Sequence, residues 1–320
     1  MDESKKRVLV AVDGSQGSFE AVRYVSELLP PDRLEVTLFH VATSIPESFW
    51  DIESNPAFRA RLASVRAWEI GQRAAMEEYL AKAKKLLADR GFPEDAVRAE
   101  SRERQVGIAR DIVFEAQKGY DAVAVGRRGM SNIQDIVLGS VVHKLLARLM
   151  TIPLWIVGEY QRGEGAVVAL DASEGAMKAV EYAGRMFGGT ETRIMLFHVI
   201  RGVESLMQRY GRFFAPEEQR DWVGKAQEEF ERAKQHIQTV FDAARSRLQE
   251  AGIPAERIET KLLTGAASRA VSIVEEARAR NFSTIVVGRR GLSRVEEFFI
   301  GRVSNKIVHM ARDKAVWVVS

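Results

Sequence analysis

Short apolar runs and longer amphipathic stretches alternate along the chain. "VLVAV" (8–12), "VTLFHV" (36–41), "AVAV" (122–125) and "LWIV" (154–157) are β-rich runs of the length of buried strands. "VRAES" (97–101) is a weaker strand between the second and third of these. "FEAVRYVSELL" has helical spacing, with Phe19, Val22, Val25 and Leu29 on one side. A longer helical pattern runs over 65–91 and stops at Gly91, a residue suited to a helix C-terminus. Strands that alternate with helices predict right-handed crossovers and a parallel sheet. Five strands with helices on both faces is the simplest packing for such a stretch.

The whole pattern then occurs again. "RVLVAVDGSQGSFEAVRYV" (7–25) matches "GAVVALDASEGAMKAVEYA" (165–183), which sets Asp13 on Asp171 at an offset of 158. "VTLFHV" matches "IMLFHV" (194–199) at the same offset, and "GFP" (91–93) matches "GIP" (252–254) at 161. "GRRGMSNIQDIVLGS" (126–140) matches "GRRGLSRVEEFFIGR" (288–302) at 162, as does "PLWIV" (153–157) with "AVWVV" (315–319). Offsets this large are too long for a solenoid repeat and point to a duplicated domain of about 155 residues. The expected domains are 1–158 and 166–320, joined by the polar, Gly-containing "GEYQRGEG" (158–165).

Composition narrows the partners. The 47 basic residues are interleaved with 44 acidic ones for a net charge of +3, which argues against a nucleic-acid surface. The chain has no cysteine, so disulfides and thiolate metal sites are excluded. No apolar run approaches the roughly 20 residues of a membrane span, and the first residues hold no signal-peptide core. A cytoplasmic protein without a membrane partner is expected.

The candidate chemistry sits where the strands end. In a doubly wound sheet, ligands bind at the carboxyl ends of the strands near the switch point. Asp13 and Asp171 each follow a first strand; Gly126 and Gly288 each end a fourth. Gly126 and Gly129 lack Cβ, so the backbone there can approach a phosphate. Gly139 and Ser140 precede a helical run whose first amides would attract an anion. The Arg127–Arg128 and Arg289–Arg290 pairs are either solvated loop charges or phosphate contacts. The loop is neither a Walker A nor a GxGxxG motif, and turn glycines of an α/β fold are the plain alternative. None of the histidines (His40, His143, His198, His236, His309) has metal-ligand spacing, and no side-chain metal site is expected. His40 and His198 fall inside the second strands, where packing and hydrogen bonding are expected. The aromatic and charged stretches 42–62 and 201–222 read as an irregular lid leading into the long helix, with a partner or gating surface as the other reading.

The strand-DGS opening, the "LFHV" strand, the G-x-x-G-x9-G-S loop and the terminal strand resemble the universal stress protein family, twice over nearly the whole chain. The resemblance implies an α/β fold of two tandem doubly wound five-stranded parallel-sheet domains, adenine nucleotide alpha hydrolase-like. It also implies dimerisation through the last strand, here an intrachain pseudo-dimer formed by pairing 153–157 with 315–319. A further homodimer and an unidentified protein partner stay open. In the glycine-loop subgroup the resemblance implies ATP or another adenine nucleotide, with Mg or Mn as an optional companion on the phosphates, and little or no catalysis. In the first repeat it places Val12 and Asp13 beside the adenosine and Val41 near adenine. Gly126, Arg127, Arg128 and Gly129 then line ribose and phosphates, and Gly139, Ser140 and Val141 hold the phosphates. The second repeat keeps Leu170, Asp171, Val199, Gly288, Arg290, Gly291, Gly301 and Val303, but has Arg302 where the family has Ser or Thr. Arg302 either fills the phosphate cavity or forks onto phosphate oxygens. Ser304 is expected to point elsewhere on its helix. Three functions compete: a nucleotide-binding stress regulator; a slow ATPase or adenylyl-transfer enzyme; and a dimerisation scaffold that binds no nucleotide. The SGGxDS-type loop of adenylyl transfer is missing, and no general base can be named beside the glycine loop.

Overall fold

The first strand, β1 (Lys6–Val12), has Val8, Leu9 and Val10 fully buried, so both of its faces are covered, as a central parallel strand requires. The structure, a computed structural model, describes residues 5–43, 56–129, 137–200, 216–291 and 300–320, with side chains for all of these except 56–63 and 216–223. By contacts the chain divides into Met1–Ile152 and Pro153–Ser320.

In the first unit, α1 (Gln16–Leu28) starts at Ser15, whose Oγ accepts from Ser18 N. This N-cap satisfies one of the free amides of the first turn. After β2 (Leu34–Ala42) comes the long α2 (Pro56–Asp89), which begins nine residues earlier than the apolar pattern predicts, with Pro at its first position. It ends in a left-handed Gly91 at φ +88°, with Phe92 N bonding Leu87 O at 3.1 Å and Gly91 N bonding Ala88 O at 2.9 Å. That double bond is a Schellman ending, and Gly is the residue that adopts its conformation without strain. β3 (Val97–Glu103), α3 (Ile108–Ala116), β4 (Ala122–Gly126) and α4 (Ser140–Arg148) complete the unit. The strand order is β3-β2-β1-β4, with parallel pairing throughout. β2 lies on one side of β1 and β4 on the other, so the switch point falls between β1 and β4. The helices pack as pairs, α1 with α2 and α3 with α4.

The second unit repeats this plan with β6 (Gly165–Ala169), α5 (Glu174–Phe187), β7 (Arg193–Ile200), α6 (Pro216–Glu250), β8 (Ile258–Thr264), α7 (Arg269–Ala279), β9 (Thr284–Gly288), α8 (Arg302–Met310) and β10 (Ala315–Val319). α6 ends as α2 does, at a left-handed Gly252 with Ile253 N on Leu248 O. The unit also holds β5 (Leu154–Val157), the last strand of the first repeat. The order is β8-β7-β6-β9-β10-β5, parallel except for β5, which runs antiparallel to β10.

Trp155 and Trp317 face each other directly in that antiparallel pair, both fully buried, with ring centroids 4.4 Å apart and planes 8° from parallel. Phe187 stacks on Trp317 at 4.9 Å, and the Trp155 indole N–H donates to Tyr182 OH at 3.1 Å. The two tryptophans therefore both fill the core and sit at the seam of the two terminal strands.

Candidate functional site

At the carboxyl end of β1 the chain turns through Gly14, at φ +83°, into the N-cap of α1. Asp13 Oδ1 accepts from Ser15 N at 3.0 Å and from Ser15 Oγ at 2.6 Å. The other carboxylate oxygen lies over Gly129: a Cβ there would sit 2.4 Å from Asp13 Oδ2. A Cβ on Gly126 would meet the Gly17 carbonyl at 2.3–2.4 Å, and one on Gly17 would meet Arg128 O at 2.4 Å. The glycine loop is thus pressed against the first turn of α1 at distances that side chains do not allow. The loop also returns to the next helix. Gly139 N donates to Arg127 O at 2.9 Å, and Gly139 is the N-cap of α4 with Ser140 as its first residue. Residues 130–136 of the loop lie outside the described residues.

The second repeat builds the same cradle. Ser173 N and Oγ donate to Asp171 Oδ1, with the backbone contact at 3.0 Å. A Cβ on Gly291 would come within 2.6 Å of Asp171 Oδ2, one on Gly288 within 2.5 Å of Gly175 O, and one on Gly175 within 2.3 Å of Arg290 O. Gly301 N donates to Arg289 O at 2.7 Å and caps α8, whose first residue is Arg302. Arg302 is exposed, as is Ser140 at the matching position. Ser304 points away, as expected: it is buried and donates to Gly288 O at 2.7 Å. Residues 292–299 lie outside the described residues.

The arginine pairs, alike in sequence, are not alike in the structure. Arg128 and Arg290 are exposed, whereas Arg127 and Arg289 are each only 4% exposed. Arg289 turns toward the last strand, with N bonding Val319 O at 2.6 Å and Nε bonding Ser320 Oγ at 2.7 Å. Burial, aided by the neighbouring Arg290, lowers its pKa to about 10. Val12, Val41, Leu170 and Val199 are buried at the strand ends, and Val141 and Val303 are half-buried in the first turns of α4 and α8. His40 Nδ1 lies 3.0 Å from Val12 O and His198 Nδ1 2.5 Å from Leu170 O. Each ring therefore donates across to the end of the neighbouring strand. Burial holds His198 below the usual imidazole range. Among the described residues no group of three His, Asp or Glu side chains is placed to hold a metal ion, and no helix is long and apolar enough to cross a membrane.

These parts fit a phosphorylated ligand. Exposed Ser140 opens a helix whose N-cap, Gly139, offers no side-chain cap, and Arg128 adds an exposed cation. The space that Gly126 and Gly129 leave free of Cβ is taken by the Gly17 carbonyl and the Asp13 carboxylate, so the glycines close the loop onto α1 and Asp13 rather than open room for a phosphate. The residues that reading the sequence overlooked are Gly17 and Gly175. Their signal was present, since they match at the same offset of 158 that joins Asp13 to Asp171.

A model of the universal stress protein family matches residues 5–158 and 166–320. The chain belongs to that family, as a tandem member. Universal stress protein YxiE of Bacillus subtilis (strain 168) is 27% identical over 165 residues, which is 47% of this chain and 97% of that one. A universal stress protein of Mycolicibacterium smegmatis is 29% identical over 139 residues, 43% of this chain and 44% of that one. Among solved structures, a universal stress protein from Archaeoglobus fulgidus shares the fold over 98% of both chains, with a TM-score of 0.59 at 17% identity. The two family matches leave out 159–165, whereas the contact division falls earlier, before β5. The aromatic stretches after the second strands of these universal stress protein repeats, read as a lid or partner surface, fall largely outside the described residues, at 44–55 and 201–215.

Proposed function

We propose that this universal stress protein is a stress-response regulator that binds an adenine nucleotide, ATP with Mg or Mn on its phosphates, in the first repeat, and that the second repeat carries an altered site. The observation that supports it best is a convergence at the switch point. Asp13, the Cβ-free Gly126–Gly129 turn and the Gly139–Ser140 helix start meet where β1 and β4 end. Gly129 lets the Asp13 carboxylate close onto the loop backbone, which brings both to the same end of the sheet. The first amides of α4 and the Ser140 hydroxyl donate to phosphate oxygens, Arg128 offsets their charge, and the Asp13 carboxylate accepts from a ribose hydroxyl. The nucleotide itself supplies the charge and shape that partners read. In the second repeat Arg302 replaces the Ser140 hydroxyl by a cation at a helix start, where the helix dipole disfavours positive charge. That makes the second site weaker or differently selective. The domain limits we adopt are those of the repeat, 1–158 and 166–320, in a cytoplasmic protein.

Nucleotide released from denatured, freshly purified protein, followed by Mg-ATP titration, tests the reading. One equivalent per chain is expected. Ser140→Ala should weaken that site about ten-fold or more, the loss of one hydrogen bond to a charged group. Arg302→Ser should raise the stoichiometry toward two. No binding at millimolar Mg-ATP would leave the scaffold reading, and sustained phosphate release would leave the ATPase.

A further inference from the structure

The long helix of the first repeat reaches Asp13 through a chain of hydroxyls. The Tyr79 hydroxyl on α2 lies 2.8 Å from Ser18 Oγ. Ser18 Oγ also lies 2.9 Å from the Ser15 carbonyl and 3.4 Å from Asp13 N. A serine hydroxyl has one proton and two lone pairs. Ser18 spends the proton on the Ser15 carbonyl, so it accepts from Asp13 N–H and from Tyr79 O–H. Ser15 in turn caps α1 through Ser18 N at 3.1 Å and gives its own proton to Asp13 Oδ1. Ser18 is only 3% exposed, which leaves little access for water to replace Tyr79. The tyrosine ring has separate packing, edge-on to Phe19 at 5.9 Å.

The second repeat is a natural control. It keeps the aspartate and the capping serine as Asp171 and Ser173, with the same bonds between them. Ser18, however, is matched by Ala176, and Tyr79, at the offset of 161 shared by the helix ends, by Val240. The same strand–turn–helix unit therefore folds without the link, so the link has a use other than building the turn.

We infer that Tyr79 is a positioning residue of the first site: through Ser18 and Ser15 it fixes the amide and the carboxylate of Asp13 and couples ligand capture there to α2. The inference rests on the nucleotide reading above. The test is Mg-ATP titration of the full chain as wild type, Tyr79→Phe, Ser18→Ala and the double variant, with hydrogen exchange of α2 amides around residue 79. Tyr79→Phe keeps the ring, and Ala176 shows that alanine fits the Ser18 position. Each single variant should bind about three- to ten-fold more weakly, the value of one net hydrogen bond. The double variant should be no weaker than the worse single one, because both break the same link. ATP should slow exchange near Tyr79 in the wild type and not in Tyr79→Phe, a coupling that a merely structural tyrosine would not show. Unchanged affinity in Tyr79→Phe, or strictly additive losses, would overturn the inference while leaving the nucleotide reading intact. A wild type that binds no Mg-ATP would overturn both.

Discussion

Glycine in a helix ordinarily costs stability, so replacing it by alanine ordinarily helps, by about 0.5–1 kcal/mol. Gly17, second residue of α1, should do the opposite. Its Cβ would lie 2.4 Å from Arg128 O, and that atom belongs to the backbone of the glycine loop rather than to a flexible side chain. Carbon contacts relax near 3.5 Å, so helix and loop would have to part by about 1 Å. Overpacking of that kind costs about 1–3 kcal/mol, more than the propensity gain. Gly17→Ala should therefore lower stability by a net of about 1 kcal/mol, and by at most about 2.5 kcal/mol. Gly71 supplies the control: it is exposed on α2, and nothing comes within 4 Å of its Cβ position. Gly71→Ala should gain what an exposed helix site normally gains. Urea unfolding gives both as midpoint shifts at constant m-value. The expected result is opposite signs. If both midpoints rise together, the first turn of α1 does not press on the glycine loop, and the cradle at the switch point is not close-packed. Gly175→Ala should repeat the effect in the second unit, where the Cβ would lie 2.3 Å from Arg290 O.

Trp317→Ala should cost the second unit about 3–5 kcal/mol and abolish the near-ultraviolet signal of the stacked indoles, checked by unfolding and circular dichroism. Gly91→Ala, which forces a side chain into a left-handed cap, should lose about 1–2 kcal/mol, read from the same urea midpoint. His198 has a folded-state value held below its ordinary one by burial, so the unfolded chain takes up its proton first as pH falls. The stability of the second unit should be full above about pH 6.5 and decline as pH drops from there toward the lowered folded value. His198→Gln should flatten that slope, and a slope that persists in the variant would assign it to another group.

The parts of the fold that show in the sequence are those buried on both faces. β1, β2, β4 and β5 are near-continuous apolar runs because covered strands need no polar face. β3 ends the strand order of its unit and has no buried residue, so "VRAES" hardly stands out. The start of α2 escaped because its described first half is largely exposed, with Trp68 and Ile70 facing out, and carries no clean apolar stripe. At the site, the repeat picks out Asp13, Asp171 and the loop glycines. Contacts between distant positions are another matter. Gly17 meets a carbonyl 111 residues away, and Tyr79 meets a serine at a separation of 61. Nothing in local spacing marks either. The two arginines of each "GRRG" are identical letters, and only the fold separates Arg289, which bonds to Val319 O and Ser320 Oγ, from the exposed Arg290.

The antiparallel pairing of β5 with β10 has a consequence for how the protein behaves at low abundance. Were the two strands on separate chains, their meeting would be bimolecular, and dilution would dissolve it. Here one chain carries both, and residues 158–164 join β5 directly to the repeat that ends in β10. Covalent joining of this kind sets a local concentration of millimolar order, whatever the cell supplies. The seam therefore closes in the first molecule made as readily as in the thousandth. Fragments cut between 158 and 166 would lose that guarantee and expose two strand edges to whatever else can pair with them.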